Sequence, residues 1–184
     1  MSLLTDNRYR YGLVSRMFHW SMAALLFWQI GGIVISELFS RNLSWVSAWR
    51  GTHFSVGVLI LALALMRAVW GLMSFRNRPR ALDKTGKWAA YGHMALYGFM
   101  LVTPVLGLLL VYGAGKPLVF FGGHLWGVHD PLQWAYKTGD LLHGVMAWTF
   151  LAAIAGHMSM VIYHHYVLKD ATLSHMVGKP KSDV

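Results

Sequence analysis

Apolar positions gather in four long runs separated by short polar stretches, and this spacing predicts helices at about residues 17–36, 53–73, 93–112 and 141–167. None of the runs contains Asp or Glu. At ~1.5 Å per residue, each is long enough to cross ~30 Å of hydrocarbon. The expected fold class is therefore all-α: an integral membrane four-helix bundle forming a single domain over residues 1–184. The fourth run is the longest and should project beyond the bilayer. Pro79, in the sequence Arg76-Asn77-Arg78-Pro79-Arg80, should end the second helix. Thr103-Pro104 should kink the third, with Gly107 easing close packing. The longest connection, residues 113–140, reads as a cap on the outer interface, with a short amphipathic helix near residues 131–137.

Composition narrows the class. The chain is 56% hydrophobic and only 12% charged, which excludes an ordinary soluble domain. It has no cysteine, which excludes thiolate haem ligation, Cys-ligated iron–sulfur clusters, disulfides and covalent c-type haem attachment. The first run is too long for a signal-peptide core and is followed by no small-x-small cleavage pattern, so it is expected to be retained.

Charge sets the orientation. The N-terminal arm (Arg8, Arg10, Arg16), the second loop (Arg76, Arg78, Arg80, Lys84, Lys87) and the tail (Lys169, Lys179, Lys181) hold eleven cations. The other two loops hold four, Arg41, Arg50, Lys116 and Lys137, nearly balanced by Glu37, Asp130 and Asp140. Both termini are therefore expected to be cytoplasmic. The net charge of +9 reflects this bias and attraction to anionic lipid; no basic cluster carries a nucleic-acid recognition motif.

The candidate chemistry lies in histidines. His143 and His157 are fourteen residues apart, so on a helix they point within about 40° of each other and lie ~21 Å apart along the axis. They address two sites on one face. His53 opens the second helix at the depth of His143, and His19 opens the first near the depth of His157. Two axial nitrogens per iron suffice for bis-His haem, and without cysteine any haem is b-type. Zinc competes poorly, since it wants three or four protein donors. Taken one at a time, these imidazoles could equally be packing residues, and a haem-free structural or metal-transport protein is the contrasting class.

His93 opens the third helix and rivals His19 opposite His157; otherwise it reads as a propionate or quinone contact. From His53 runs a stripe of Gly57, Ile60, Ala64, Arg67 and Gly71, whose small residues leave room for a flat cofactor or for helix packing. Arg67 has two readings, a partner for an inner haem propionate or a cation snorkelling to the headgroups. His164 and His165 fall at the inner interface and His175 in solvent, while His124 and His129 lie in the cap.

These residues resemble the bacterial cytochrome b561 family of dihaem inner-membrane proteins. The resemblance spans nearly the whole chain: Met17-Phe18-His19-Trp20, His53 with Arg67, Gly92-His93 with Pro104-Val105-Leu106-Gly107, then His143, His157, His164-His165-Tyr166 and Lys169-Asp170. Similar helices form the haem subunits of membrane formate dehydrogenases and hydrogenases. The resemblance implies two haem b groups ligated by the pairs His53/His143 and His19/His157, and electron exchange with ubiquinone. For some members it implies superoxide oxidation at the periplasmic face, where Arg41, Arg50, Lys116 and Lys137 are candidates to attract the anion. The alternative is an electron conduit linking the quinone pool to a partner dehydrogenase. Relatives often carry a further histidine where this chain has Ala90, so no role passes to that position.

Overall fold

The computed structural model describes residues 3–7, 10–39, 42–75 and 84–178, with the side chains of Lys84 and Thr85 left out. Arg8, Arg41, the Arg76 to Arg80 turn with Pro79, Lys179 and Lys181 lie outside the described residues. Helix α1 is Leu13–Leu38, α2 Ser44–Gly51, α3 His53–Met73 and α4 Lys84–Gly113. An antiparallel hairpin of β1 (Leu118–Phe120) and β2 (Gly123–Trp126) precedes α5 (Gln133–Tyr163). A π-helical turn, His164–Leu168, then leads to a short α6, Thr172–Val177.

Four of these segments are long and apolar enough to span a membrane: α1, α2 with α3, α4, and α5 with its π turn. They run alternately up and down, so the N-terminal arm and α6 meet at one end, termed the terminal end, and the β-hairpin caps the other. Large apolar side chains such as Phe27, Leu72 and Leu141 point outward, as a lipid-solvated surface requires. The interior core is small. Met22, Ala64, Met100 and Phe150 form it at mid-height, with Phe150 stacked on Phe99 at 5.7 Å.

Helices pack in the order α1, α3, α4, α5, with the most intimate contact between α4 and α5. Glycine makes that contact possible: a Cβ on Gly139 would fall 2.5 Å from the Leu110 backbone nitrogen, and one on Gly113 2.1 Å from that of Tyr136. The backbones of α1 and α5, which would close the ring, scarcely approach each other, and this leaves space inside the bundle.

The helices extend beyond the apolar runs. α4 begins at Lys84 rather than near residue 93, and α5 at Gln133 rather than near 141, absorbing the separate helix expected around 131–137. Hydropathy marks the part of a helix that lipid covers, whereas helical hydrogen bonding continues wherever packing supports it. Here Ala135 and Gly139 bury against α4. The cap is correspondingly shorter and contains a hairpin. The loop after α1 contains α2, which packs through the fully buried Val46 and donates from Trp49 Nε1 to the Trp28 carbonyl (3.0 Å).

Gly139→Ala should destabilise the bundle by about 1–3 kcal/mol through overpacking. Gly98→Ala, where an added Cβ meets no atom within 4 Å, should be neutral or slightly stabilising. Thermal unfolding in detergent distinguishes the two, and equal effects would contradict the packing described.

Candidate functional site

At the hairpin end, His53 from the first turn of α3 and His143 from α5 face each other with ring centroids 6.1 Å apart. They stand on opposite walls of a cavity of about 490 Å³, bounded by α1, α3, α4 and α5 and lined mainly by apolar side chains. His143 Nδ1 donates to the Thr103 carbonyl (3.0 Å), which fixes the tautomer and leaves Nε2 of this cavity-lining ring able to bind a metal ion. The Thr103-Pro104 step, inside α4, thus orients an imidazole. Gly107 supplies the space: a Cβ there would lie 2.9 Å from His143 Cε1. Opposite, Gln29 Nε2 donates to the His53 carbonyl (2.9 Å), and Gly57 and Ile60, the start of the expected small-residue stripe, line the same wall.

Two buried polar atoms in the cavity lining, Gln29 Oε1 and Thr103 Oγ1, lack hydrogen-bond partners among the described residues. Paired imidazoles across an apolar cavity within the roughly 300–1,000 Å³ range of cofactor sites suit a flat, largely apolar group bearing one metal ion. An ion bound by two imidazole nitrogens at ~2 Å sets their ring centroids roughly 6 Å apart. The donor set fits haem.

At the terminal end, three histidines converge. His19 and His157 have ring centroids 6.5 Å apart, and His93 and His157 5.3 Å. His93 Nδ1 donates to the Ala89 carbonyl of its own helix (2.6 Å). Beside them Arg67 is held on two sides, donating from Nε to Tyr97 Oη (2.7 Å) and from Nη1 to the Ser15 carbonyl (2.8 Å). Ser15 Oγ accepts from Trp70 Nε1 and donates to the buried Asp6 carboxylate, both at 2.8 Å, and Asp6 also accepts from the Gly12 N–H. Arg67 therefore belongs to an internal network, and its bonds run inward to neighbouring helices.

The remaining candidates are dispersed. His124 is exposed on β2, and His129 packs on Tyr112 with centroids 4.2 Å apart. His165 is exposed; His175, expected in solvent, is partly buried because α6 folds back so that Trp20 Nε1 donates to the Met176 carbonyl. His164 pairs with Asp170, which also accepts from the Thr172 backbone N–H at 2.9 Å. Burial alone would raise the Asp170 carboxyl, but hydrogen bonds from His164 and Thr172 prevail and hold it down at about 2. Among the outward cations, Arg50 lines the hairpin-end cavity, whereas Lys116 and Lys137 are exposed and Arg41 lies outside the described residues.

Sequence reasoning missed Gln29, Tyr97, Ser15 and Asp6. Gln29 carried a signal, as an amide inside an apolar run must find a partner. Asp6 carried none, because an acidic residue ahead of a helix is ordinarily solvated.

Fold and site together define a class, a polytopic helical membrane protein with facing imidazoles between its helices near both ends. The chain belongs to the prokaryotic cytochrome b561 family, whose sequence profile matches residues 10–179. It is 30% identical to cytochrome b561 homolog 2 of Escherichia coli K12, over 97% of both chains. It is 23% identical to cytochrome b561 homolog 1 of the same organism, over 94% of this chain and 99% of that one. It is also 26% identical to the probable superoxide oxidase CybB of Yersinia pestis, over 94% of this chain and 98% of the relative. It is accordingly a multi-pass bacterial membrane protein of electron transport that carries b-type haem.

Gly107→Ala should push the His143 ring from its place and lower haem content per chain, while Gly98→Ala leaves it unchanged; a pyridine haemochrome assay reads both. The depressed Asp170 carboxyl adds stability that is complete above its unfolded value of 3.8 and is lost as pH falls through about 2. Docking of the tail, followed by limited proteolysis across that window, should show this acid limb, and Asp170→Asn should abolish it.

Proposed function

We propose that the chain is a dihaem cytochrome of the bacterial inner membrane that passes electrons from superoxide to ubiquinone. The observation that carries this reading is the pair of imidazole separations, 6.1 Å for His53/His143 and 6.5 Å for His19/His157. Both match the roughly 6 Å set by one iron between two ring nitrogens. His93 stands 5.3 Å from His157, too close for that bridge, which supports His19 as the ligand. His93 and Arg67 are then the propionate or quinone contacts of the terminal end. Both termini face the cytoplasm, as the loop cations require.

When bound, haem supplies a one-electron carrier between a one-electron donor and a two-electron acceptor. Overall, two superoxide anions and one ubiquinone, with two protons, yield two dioxygen molecules and ubiquinol. The chain's own residues position, exclude water and attract charge. Arg50, at the mouth of the hairpin-end cavity, is placed to draw an anion toward it. The Met22, Ala64, Met100 and Phe150 core separates the two histidine sites and keeps water from the space between them. Likeness to a probable superoxide oxidase supports the donor.

The purified chain should carry two haems. His53→Ala and His143→Ala should each lose the same one, His19→Ala and His157→Ala the other, and His93→Ala should retain both. Mixed with a superoxide source and ubiquinone, the wild-type chain should form ubiquinol, and Arg50→Glu should slow this roughly tenfold by reversing the local field. Two haems with no superoxide-dependent turnover would sink the superoxide reading and favour a conduit to a partner dehydrogenase. A single haem would sink the pairing.

A further inference from the structure

The β-hairpin at the end remote from the termini has a tip whose chemistry does not suit water. Strand β1 ends at Phe120 and β2 begins at Gly123, so Phe121 and Gly122 form a two-residue turn. Their φ values are 44° and 93°, the sign pattern of a type I′ turn. The first central position of such turns usually holds Asn, Asp or Gly, because a bulky side chain at positive φ is strained. Here it holds phenylalanine. Its ring leans against Phe120 at 4.9 Å, yet Phe121 is 65% exposed, and a Cβ added to Gly122 would meet no atom within 4 Å. The turn therefore presents the Phe121 ring and Gly122 outward, in a strained backbone conformation that the surrounding contacts sustain.

Its depth identifies what lies there. Ser55 Oγ accepts from the Phe121 backbone N–H (3.0 Å) and donates to the Val119 carbonyl (3.4 Å), so the ribbon is fastened to α3. The 21 residues of α3 make ~31 Å of helix, about the thickness of the hydrocarbon core. The preceding α2 carries the exposed Arg50 and is far less apolar, so the hydrocarbon core begins near His53, with Ser55 only ~3 Å further in. The backbone of Phe121 shares this level, where exposed aromatic rings meet the junction of headgroups and acyl chains.

We propose that the Phe120 to Gly123 tip is a lipid anchor, with Phe121 inserted between acyl chains of the leaflet at the hairpin end. The partner is the bilayer itself, engaged by apolar contact rather than charge, as the four tip residues carry no ionisable side chain. The anchor would hold the cap against the start of α3, two residues from His53. It stands apart from the redox reading and survives if that reading fails.

The chain contains no cysteine, so a single introduced thiol is labelled cleanly. Phe121→Cys bearing a nitroxide, in the full-length chain reconstituted at low density into phosphatidylcholine vesicles, should relax with oxygen. It should be roughly fivefold less accessible to a water-soluble nickel chelate than a label at Lys116→Cys, an exposed site at the base of the hairpin. Val119→Cys, also exposed and two residues back, should give the same ordering if the turn variant does not fold. Nickel accessibility equal to that of Lys116→Cys would place the tip in water and overturn the proposal. Shielding from both relaxants would mean contact with protein, from this chain or another, and would overturn it equally.

Discussion

A polar ring inside hydrocarbon must find its partners within the protein, and the rest of this structure depends on that constraint. His143 and His157 lie on one stripe of α5, a helix whose outer face meets lipid. Each turns toward an imidazole from another helix, across the gap where α1 and α5 stand apart. The bundle is tight where α4 meets α5 and open where histidines converge. Glycine produces both effects: Gly139 and Gly113 let backbones touch, and Gly107 yields its side-chain volume to the His143 ring.

The two ends solve the polar problem differently. At the hairpin end the ring nitrogen of His143 uses a backbone carbonyl, and Gln29 ties α1 to the start of α3, leaving two polar atoms in the lining of an apolar cavity without partners among the described residues. At the terminal end a connected set runs from Asp6 through Ser15 to Arg67 and Tyr97, so a carboxylate and a cation are each hydrogen-bonded and linked through Ser15 near a histidine cluster. The first end offers room, and the second offers fixed charge.

Much of this was legible in the residues. The four apolar runs specified the spanning helices, since a chain without water must close its own hydrogen bonds and length alone decides whether it crosses. The interval between His143 and His157 specified one face and two depths, because helical geometry is rigid. Extensions of α4 to Lys84 and of α5 to Gln133 were not legible, because they depend on packing beyond the lipid boundary. Nor was the hairpin, whose strands are only three and four residues long and whose turn holds Phe where Asn or Gly would have marked it. Arg67 was legible as a costly cation, but its partners Tyr97 and Ser15 come from other helices and no spacing rule names them.

By itself, then, the sequence determined the membrane class, the exclusion of thiolate and covalent haem chemistry, and the stacking of histidines on one helix, all consequences of composition and a fixed helical rise. Only the tertiary structure shows which imidazoles approach one another. His19 and His93 both lie in the terminal-end halves of their helices, and their separations from His157 follow from how three helices tilt and rotate against one another. Those angles arise from summed side-chain packing across the bundle, which no single segment of the chain encodes.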